Sequence, residues 1–288
     1  MKIMGMWQEK SSCKWYKFYG IVMHLINIDI YLAMQFGYLI MKSESFQELS
    51  EVLSILFSYI SILLKSLNFM YELESIKSLI QTLKELIDFS ADKTYEPRSK
   101  MMKQTKSVQR VYYLFWFSCI LTCIVSGFIP FFHTTVDNTR LINRIWIPFE
   151  FTTDSYWYWI LSLYQILNSL FYSGVLVALD ILPVVFMSFT ASLVDELAFR
   201  ITKIGNEDNA VCNTGKRSTK LIQLEKQKRQ EANKKELRKC IEIHLKIKSF
   251  VEKTGNIFST MIIIQGIMSS IILCTCAFTL TLVIDLEL

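Results

Sequence analysis

Histidine is scarce in this sequence, with only His24, His133 and His244. On the topology developed below these fall in the membrane, outside and inside, so they cannot converge on one metal ion. Glycine is also sparse, at nine residues, and no P-loop, GxSxG or HExxH pattern occurs. The familiar phosphate-cradling, serine-hydrolase and zinc-protease chemistries are thereby excluded. The seven cysteines include no CxxC pair and none falls in a segment assigned to the outside, so neither a disulfide framework nor a zinc site is expected. With four prolines there is no proline-rich linker, and no internal repeat occurs. The basic run from Lys216 to Lys239 nearly lacks aromatics and is balanced by Glu225, Glu231 and Glu236, the pattern of a solvated helix face and not of a nucleic-acid site. The chain reads as no enzyme, with no cofactor, metal or nucleic-acid partner.

Apolar surface is what it has in quantity. Hydrophobic residues make up 52% and aromatics 14%, at a mean hydropathy of +0.31, which points away from a water-soluble globule. A bilayer core needs about 20 apolar residues in helical form, because hydrocarbon leaves unpaired backbone groups unsatisfied. Five stretches are long enough: 18–41, 50–71, 111–132, 156–190 and 256–284. The first is too long for a signal-peptide core and has no small-residue cleavage site behind it, so it reads as a retained anchor helix. The expectation is an all-α polytopic membrane helical bundle, a single transmembrane domain over 1–288 embedded in a lipid bilayer.

Basic residues orient it. The N-terminal tail holds four Lys, the segment 72–110 eight Lys or Arg, and the segment 191–255 fifteen, so 27 of the 31 lie on one side. Lys42, Arg140 and Arg144 lie on the other, and Lys65 lies within the second span. The positive-inside rule puts the N-terminus and the loops 72–110 and 191–255 in the cytoplasm. Leu73, Ile76, Leu79, Ile80, Leu83, Leu86 and Ile87 recur at helical spacing, which reads as a cytoplasmic extension of the second helix. Gly205 to Asn209 reads as loop-like, and a charged run from Lys220 feeds the fifth span.

Several polar residues stand inside apolar runs. His24, Asn27, Tyr31 and Gln35 fall within about an 80° sector of the first helix and should face other helices or water. Asp29 points elsewhere, with no evident partner. Lys65 lies near the cytoplasmic end of its helix, where snorkelling accounts for it. Asp180 precedes Pro183 in a span of about 35 residues, or roughly 52 Å, which must tilt, kink or project from the bilayer. Tyr156, Trp157, Tyr158, Trp159 and Tyr164 fit an interfacial belt. They also fit an aromatic pocket for a small apolar ligand, with Ser162, Gln165 and Asn168 as its polar groups. Depth and side-chain type select Gly127, Phe128, Phe131, Tyr158, Ser162, Gln165 and Asn168 as candidate ligand-binding residues.

From Leu237 onward the pattern becomes specific: Leu237, Arg238, Lys239, Cys240 and Ile241, then His244, Ile247, Phe250, Phe258, Ser259, Gln265, Ser269, Cys274 and Phe278. This resembles the hallmark stretch of insect odorant receptors, in which a cytoplasmic Leu-x-x-Cys-Ile-x-x-His precedes a helix carrying Phe-Ser, Gln and Ser. Trp146 to Phe149, followed by Tyr158, Trp159, Tyr164 and Gln165, is similar to that family's outer loop and the start of its fourth helix. Asp180 resembles an acidic residue often found late in that helix.

The resemblance implies seven helices, an intracellular N-terminus and a multi-pass protein of the plasma membrane of a sensory neuron's dendrite. It implies a cation channel, gated by small volatile ligands and formed as a hetero-tetramer with a co-receptor. Odorants would bind among the outer halves of the second, third, fourth and sixth helices. The sequence ends a few residues past the fifth span, so the expectation is five helices present of seven, with channel activity belonging to the full-length form. Insect gustatory receptors share the architecture and are the near alternative. A five-helix transporter or scaffold would show broken helices and paired intramembrane charges, for which only Asp29 and Asp180 qualify, neither with an evident partner. A non-functional fragment is the remaining reading.

Overall fold

The computed structural model describes residues 7, 14–41, 46–90, 97–132, 141–148, 156–212 and 220–287. Among them every regular element is helical and no strand occurs, so the all-α expectation is borne out. In chain order these are α1 (Lys14–His24), a π-helical turn (Leu25–Asp29), α2 (Ile30–Met41), α3 (Phe46–Tyr71), α4 (Leu73–Ser90), α5 (Pro97–Phe132), α6 (Tyr156–Cys212) and α7 (Lys220–Glu287). Among the described residues, five helical stretches are long and apolar enough to cross a membrane, the first being α1 to α2 taken together.

Two compact units make up the chain. The first comprises Met1–Leu73, Val111–Leu182 and Ser259–Leu288. Its α5 leaves Leu114, Phe115, Phe117, Leu121 and Ile124 exposed. That face would be a liability in water, and lipid tails solvate it. Ser50 and Phe46 of α3 meet α7 through Thr279, at 2.8 Å, and through the Phe278 ring.

The second unit comprises Glu74–Arg110 and Pro183–Phe258. Here α4 buries Ile76, Leu79, Leu83 and Leu86, one apolar stripe at steps of three and four. Phe186 of α6 packs its ring 6.1 Å from Phe250 and 5.6 Å from Phe258 of α7. Arg200, buried, reaches Glu196 at 2.8 Å and Glu236 at 3.7 Å, so a desolvated guanidinium ties the two helices.

One local expectation holds and one fails. The apolar pattern after Tyr71 does form a helix, α4, following α3 after a single-residue turn at Glu72, whose N–H still bonds the Asn68 carbonyl at 2.9 Å. Gly205 to Asn209 is not a loop but part of α6, which runs on to Cys212. Glycine costs a helix only about 1 kcal/mol, and extending an established helix gains one hydrogen bond per residue.

Candidate functional site

Steps of three and four along α6 bring Tyr158, Ser162, Gln165, Asn168 and Tyr172 to one side of the helix. The first four of these side chains are buried. There the Tyr172 ring lies 4.4 Å from Tyr59 of α3, and Tyr59 lies 4.6 Å from Tyr31 of α2. Tyr164 adds a fourth ring, 6.3 Å from Tyr31, and donates its hydroxyl to the Ile26 carbonyl at 2.8 Å. That carbonyl belongs to the π turn. Asn168 Nδ2 donates to the Tyr59 hydroxyl at 3.0 Å.

Residues 141–148 cross this cluster as an irregular strap. Ile145 and Ile147 are buried against Tyr31 and Tyr59, with Leu141 beside them. Asn143 is bonded three ways. Its backbone N–H and carbonyl pair with the side-chain amide of Gln165 at 3.1 and 2.9 Å, and its Nδ2 donates to the Tyr31 hydroxyl at 2.7 Å. Such pairing lets an irregular segment lie in an apolar setting without stranding its peptide groups. Beyond it the Trp146 N–H donates to the Met34 carbonyl at 3.0 Å.

Arg144 fastens the strap to α2 and α3. Its guanidinium pairs with Glu48, reaches Glu51 at 3.4 Å and donates to the Tyr38 hydroxyl at 3.2 Å. Partial burial works against the charge, but the hydrogen bonds it donates to Tyr38 and Glu48 outweigh it and hold the guanidinium pKa above its ordinary value.

Not every polar group of the cluster is satisfied. Ser162 Oγ and Asn168 Oδ1 are buried without a hydrogen-bond partner, each costing about 1–3 kcal/mol in that condition.

Deeper in the same unit, two polar pairs correct the sequence reading. Lys65 does not snorkel: it is 1% exposed and its Nζ donates to Asp180 Oδ1 at 2.7 Å. Asp29 does not point away from the His24 stripe. The π turn sets residues five apart on one side, so Asp29 Oδ2 lies 3.4 Å from His24 Nδ1, a pairing that α-helical counting at 100° per residue cannot foresee. His24 Nε2 in turn lies 2.8 Å from Ser66 Oγ. The order acid, imidazole, hydroxyl matches a hydrolase triad. Ser66, however, is buried inside α3 with its hydroxyl 2.9 Å from the Leu63 carbonyl, and helix N–H groups are already spent, leaving no oxyanion donors. The arrangement ties α1 to α3.

The seven residues singled out from sequence do not converge. Ser162, Gln165 and Asn168 join the tyrosine cluster, with Tyr158 buried one turn earlier. Gly127 instead lies against Ile166, 3.4 Å from where a Cβ would stand. Phe128, on the same helix, is more than half exposed, and the Phe131 side chain lies outside the described residues. Tyr59, Tyr172 and Asn143 went unmarked, although Tyr172 continues the spacing set by Asn168. Of the hallmark positions, Cys240 and Phe258 are buried, whereas Leu237, Ile241, His244 and Ser259 are exposed. Gln265 Nε2 bonds Ser269 Oγ one turn on, at 2.9 Å.

The family model described as 7tm Odorant receptor matches residues 45–287. The fold is similar to that of the insect olfactory receptor OR5 from Machilis hrabei. The TM-score is 0.64 at 16% identity, over 96% of this chain and 68% of that one. The same receptor in complex with eugenol gives 0.67 at 18% identity, over 97% and 68%.

Proposed function

The chain belongs to the 7tm odorant receptor family, and from that premise we propose that it is a receptor subunit binding small volatile organic molecules. In full-length form, with a co-receptor, it gates a cation channel of the plasma membrane. The observation that supports the binding half is the tyrosine cluster beside residues 141–148: four rings, side-chain amides and a hydroxyl, with Ile145 and Ile147 packed against them. This is the composition of a small-molecule site, mostly aromatic with a few placed polar groups. Burying ligand carbon there contributes about 25 cal/mol per Å² of apolar area. A receptor of similar fold has been solved in complex with eugenol.

Ser162, Gln165 and Asn168 serve the site directly on this reading, with Tyr31, Tyr59 and Tyr172 as its apolar walls. Gly127, against Ile166, and Phe128, more than half exposed, stand apart from that cluster. The excess of Lys and Arg in 72–110 and 191–255 supports a cytoplasmic N-terminus. Paired intramembrane charges, which a transporter would show, are present at Lys65 and Asp180. Family membership favours the receptor.

The test is current recording from cells expressing the full-length receptor with its co-receptor, against a panel of volatile odorants. Odorant-evoked cation current is expected, and a surface-expressed receptor silent to the whole panel overturns the reading.

A further inference from the structure

The first membrane helix carries one residue too many for a straight α-helix, and side chains from two other helices hold it that way. At the π turn the Ile30 N–H donates to the Leu25 carbonyl, five residues back. The α-helical pattern resumes directly afterwards, so the carbonyl passed over is that of Ile26. This is the carbonyl that takes the Tyr164 hydroxyl of α6, at 2.8 Å. Beside it Asn27 Nδ2 donates to the Met23 carbonyl at 2.8 Å. His24 faces Asp29 across the five-residue step at 3.4 Å and reaches Ser66 of α3 at 2.8 Å. In an unbroken α-helix residues five apart stand about 140° apart around the axis, so the His24 to Asp29 contact exists only in the π register. There the Ile30 N–H would return to the Ile26 carbonyl, and Tyr164 would lose its acceptor.

We propose that this helix is a register switch: α1 turns by about 100° on α2 when the π turn closes into α-helix, and Tyr164 is the residue that holds the π register. The two registers exchange one hydrogen bond to the Ile26 carbonyl for another, from the Ile30 N–H or from the Tyr164 hydroxyl, so neither is heavily favoured. Packing decides which half moves. Among the described residues α1 buries none, whereas α2 buries Tyr31 and Gln35. Turning α1 therefore gives up little apolar contact, and α2 stays anchored. Tyr164 also packs against Tyr31, Tyr59, Ile145 and Ile147, so a shift of the strap reaches α1 through a single hydroxyl.

The experiment measures the distance between spin labels at Phe18 and Leu163, both more than half exposed, in the chain in lipid nanodiscs. Noncanonical residues carry the labels, because the chain has seven cysteines of its own. A turn of about 100° carries a side chain at the rim of a helix through roughly 8 Å. The wild type is expected to show two label distances, and Tyr164→Phe to raise the share of the second severalfold. Deletion of Leu25 is expected to abolish the second distance. It removes the extra residue, so both halves keep the facing of the π register within one unbroken α-helix, and His24 and Asp29 stand four apart, where they still meet. A distance distribution that Tyr164→Phe leaves unchanged, or a second distance that survives the deletion, overturns the switch. Tyr164→Phe removes one oxygen and keeps the ring, so its outcome decides the matter even if the deletion variant does not fold.

Discussion

Lys65 Nζ donates to Asp180 Oδ1 at 2.7 Å, and the two partners differ in burial: the lysine side chain is 1% exposed, the aspartate 43%. The pair joins α3 to α6 about two turns from Tyr59 on α3 and from Tyr172 on α6. The asymmetry predicts unequal losses. Asp180→Asn strands a fully buried ammonium and should cost about 3–5 kcal/mol. Lys65→Met leaves a carboxylate that is already half accessible and should cost less, and the double variant should resemble Lys65→Met. Thermal unfolding in detergent ranks them, and equal losses from the two single changes would show that the pair's burial is not what matters.

The spans were legible in sequence because hydrocarbon demands a long apolar helix whatever its neighbours. Lys65 and Asp180 were each visible, but 115 residues of sequence separate them, and each alone has a simpler explanation at the membrane surface. Asp29 was misread for a local reason: one π turn moves every later residue relative to His24, and no residue type in Leu25–Asp29 announces it. Ser162, Gln165 and Asn168 were picked out by depth and polarity, which the helical period supports. The strap that seals them has no period to read, so the pairing of Asn143 with Gln165 was invisible.

Arg144 sets how firmly the strap stays down. Arg144→Ala removes contacts with Glu48, Glu51 and Tyr38. These groups are partly exposed, so the loss is discounted to about 1 kcal/mol, or roughly a fivefold rise in hydrogen exchange at the Trp146 amide. The sign of the pH effect is fixed as well. A guanidinium whose pKa is raised on folding contributes stability that is fully present below its unfolded pKa and lost only as pH rises through the folded one. Between pH 6 and 9 Arg144 stays charged, so exchange at the strap, corrected for intrinsic rate, should gain no pH dependence from it. A strap that loosens over this range in the wild type but not in Arg144→Ala would contradict the assignment.

In the second unit, Phe186 is the ring that Phe250 and Phe258 share. Phe186→Ala should cost about 3–5 kcal/mol, the usual loss for an aromatic in a packed core. Phe186→Leu, which keeps most of the volume, should cost markedly less. Denaturation midpoints of the two variants check this. If Ala and Leu behave alike, the three rings do not pack as one core.

Gly37 is where α2 lets the strap come close. A Cβ at this position would stand 3.0 Å from Trp146 Cε3 and 3.1 Å from Trp146 Cβ. The tryptophan cannot easily yield, because its own N–H is bonded to the Met34 carbonyl one turn earlier on α2, at 3.0 Å. Gly37→Ala therefore lifts the strap or strains the helix, at about 1–3 kcal/mol. Trp146→Ala makes room for the added methyl, so the double variant should lose less than the sum of the two single changes. If the strap is the roof of the ligand site, Gly37→Ala also speeds ligand dissociation, and Trp146→Ala added to it does not restore the slow rate, since the ring that closes the roof is then gone. Stability recovered without residence time recovered is the signature expected of a lid residue. Recovery of both would make Trp146 a packing residue alone.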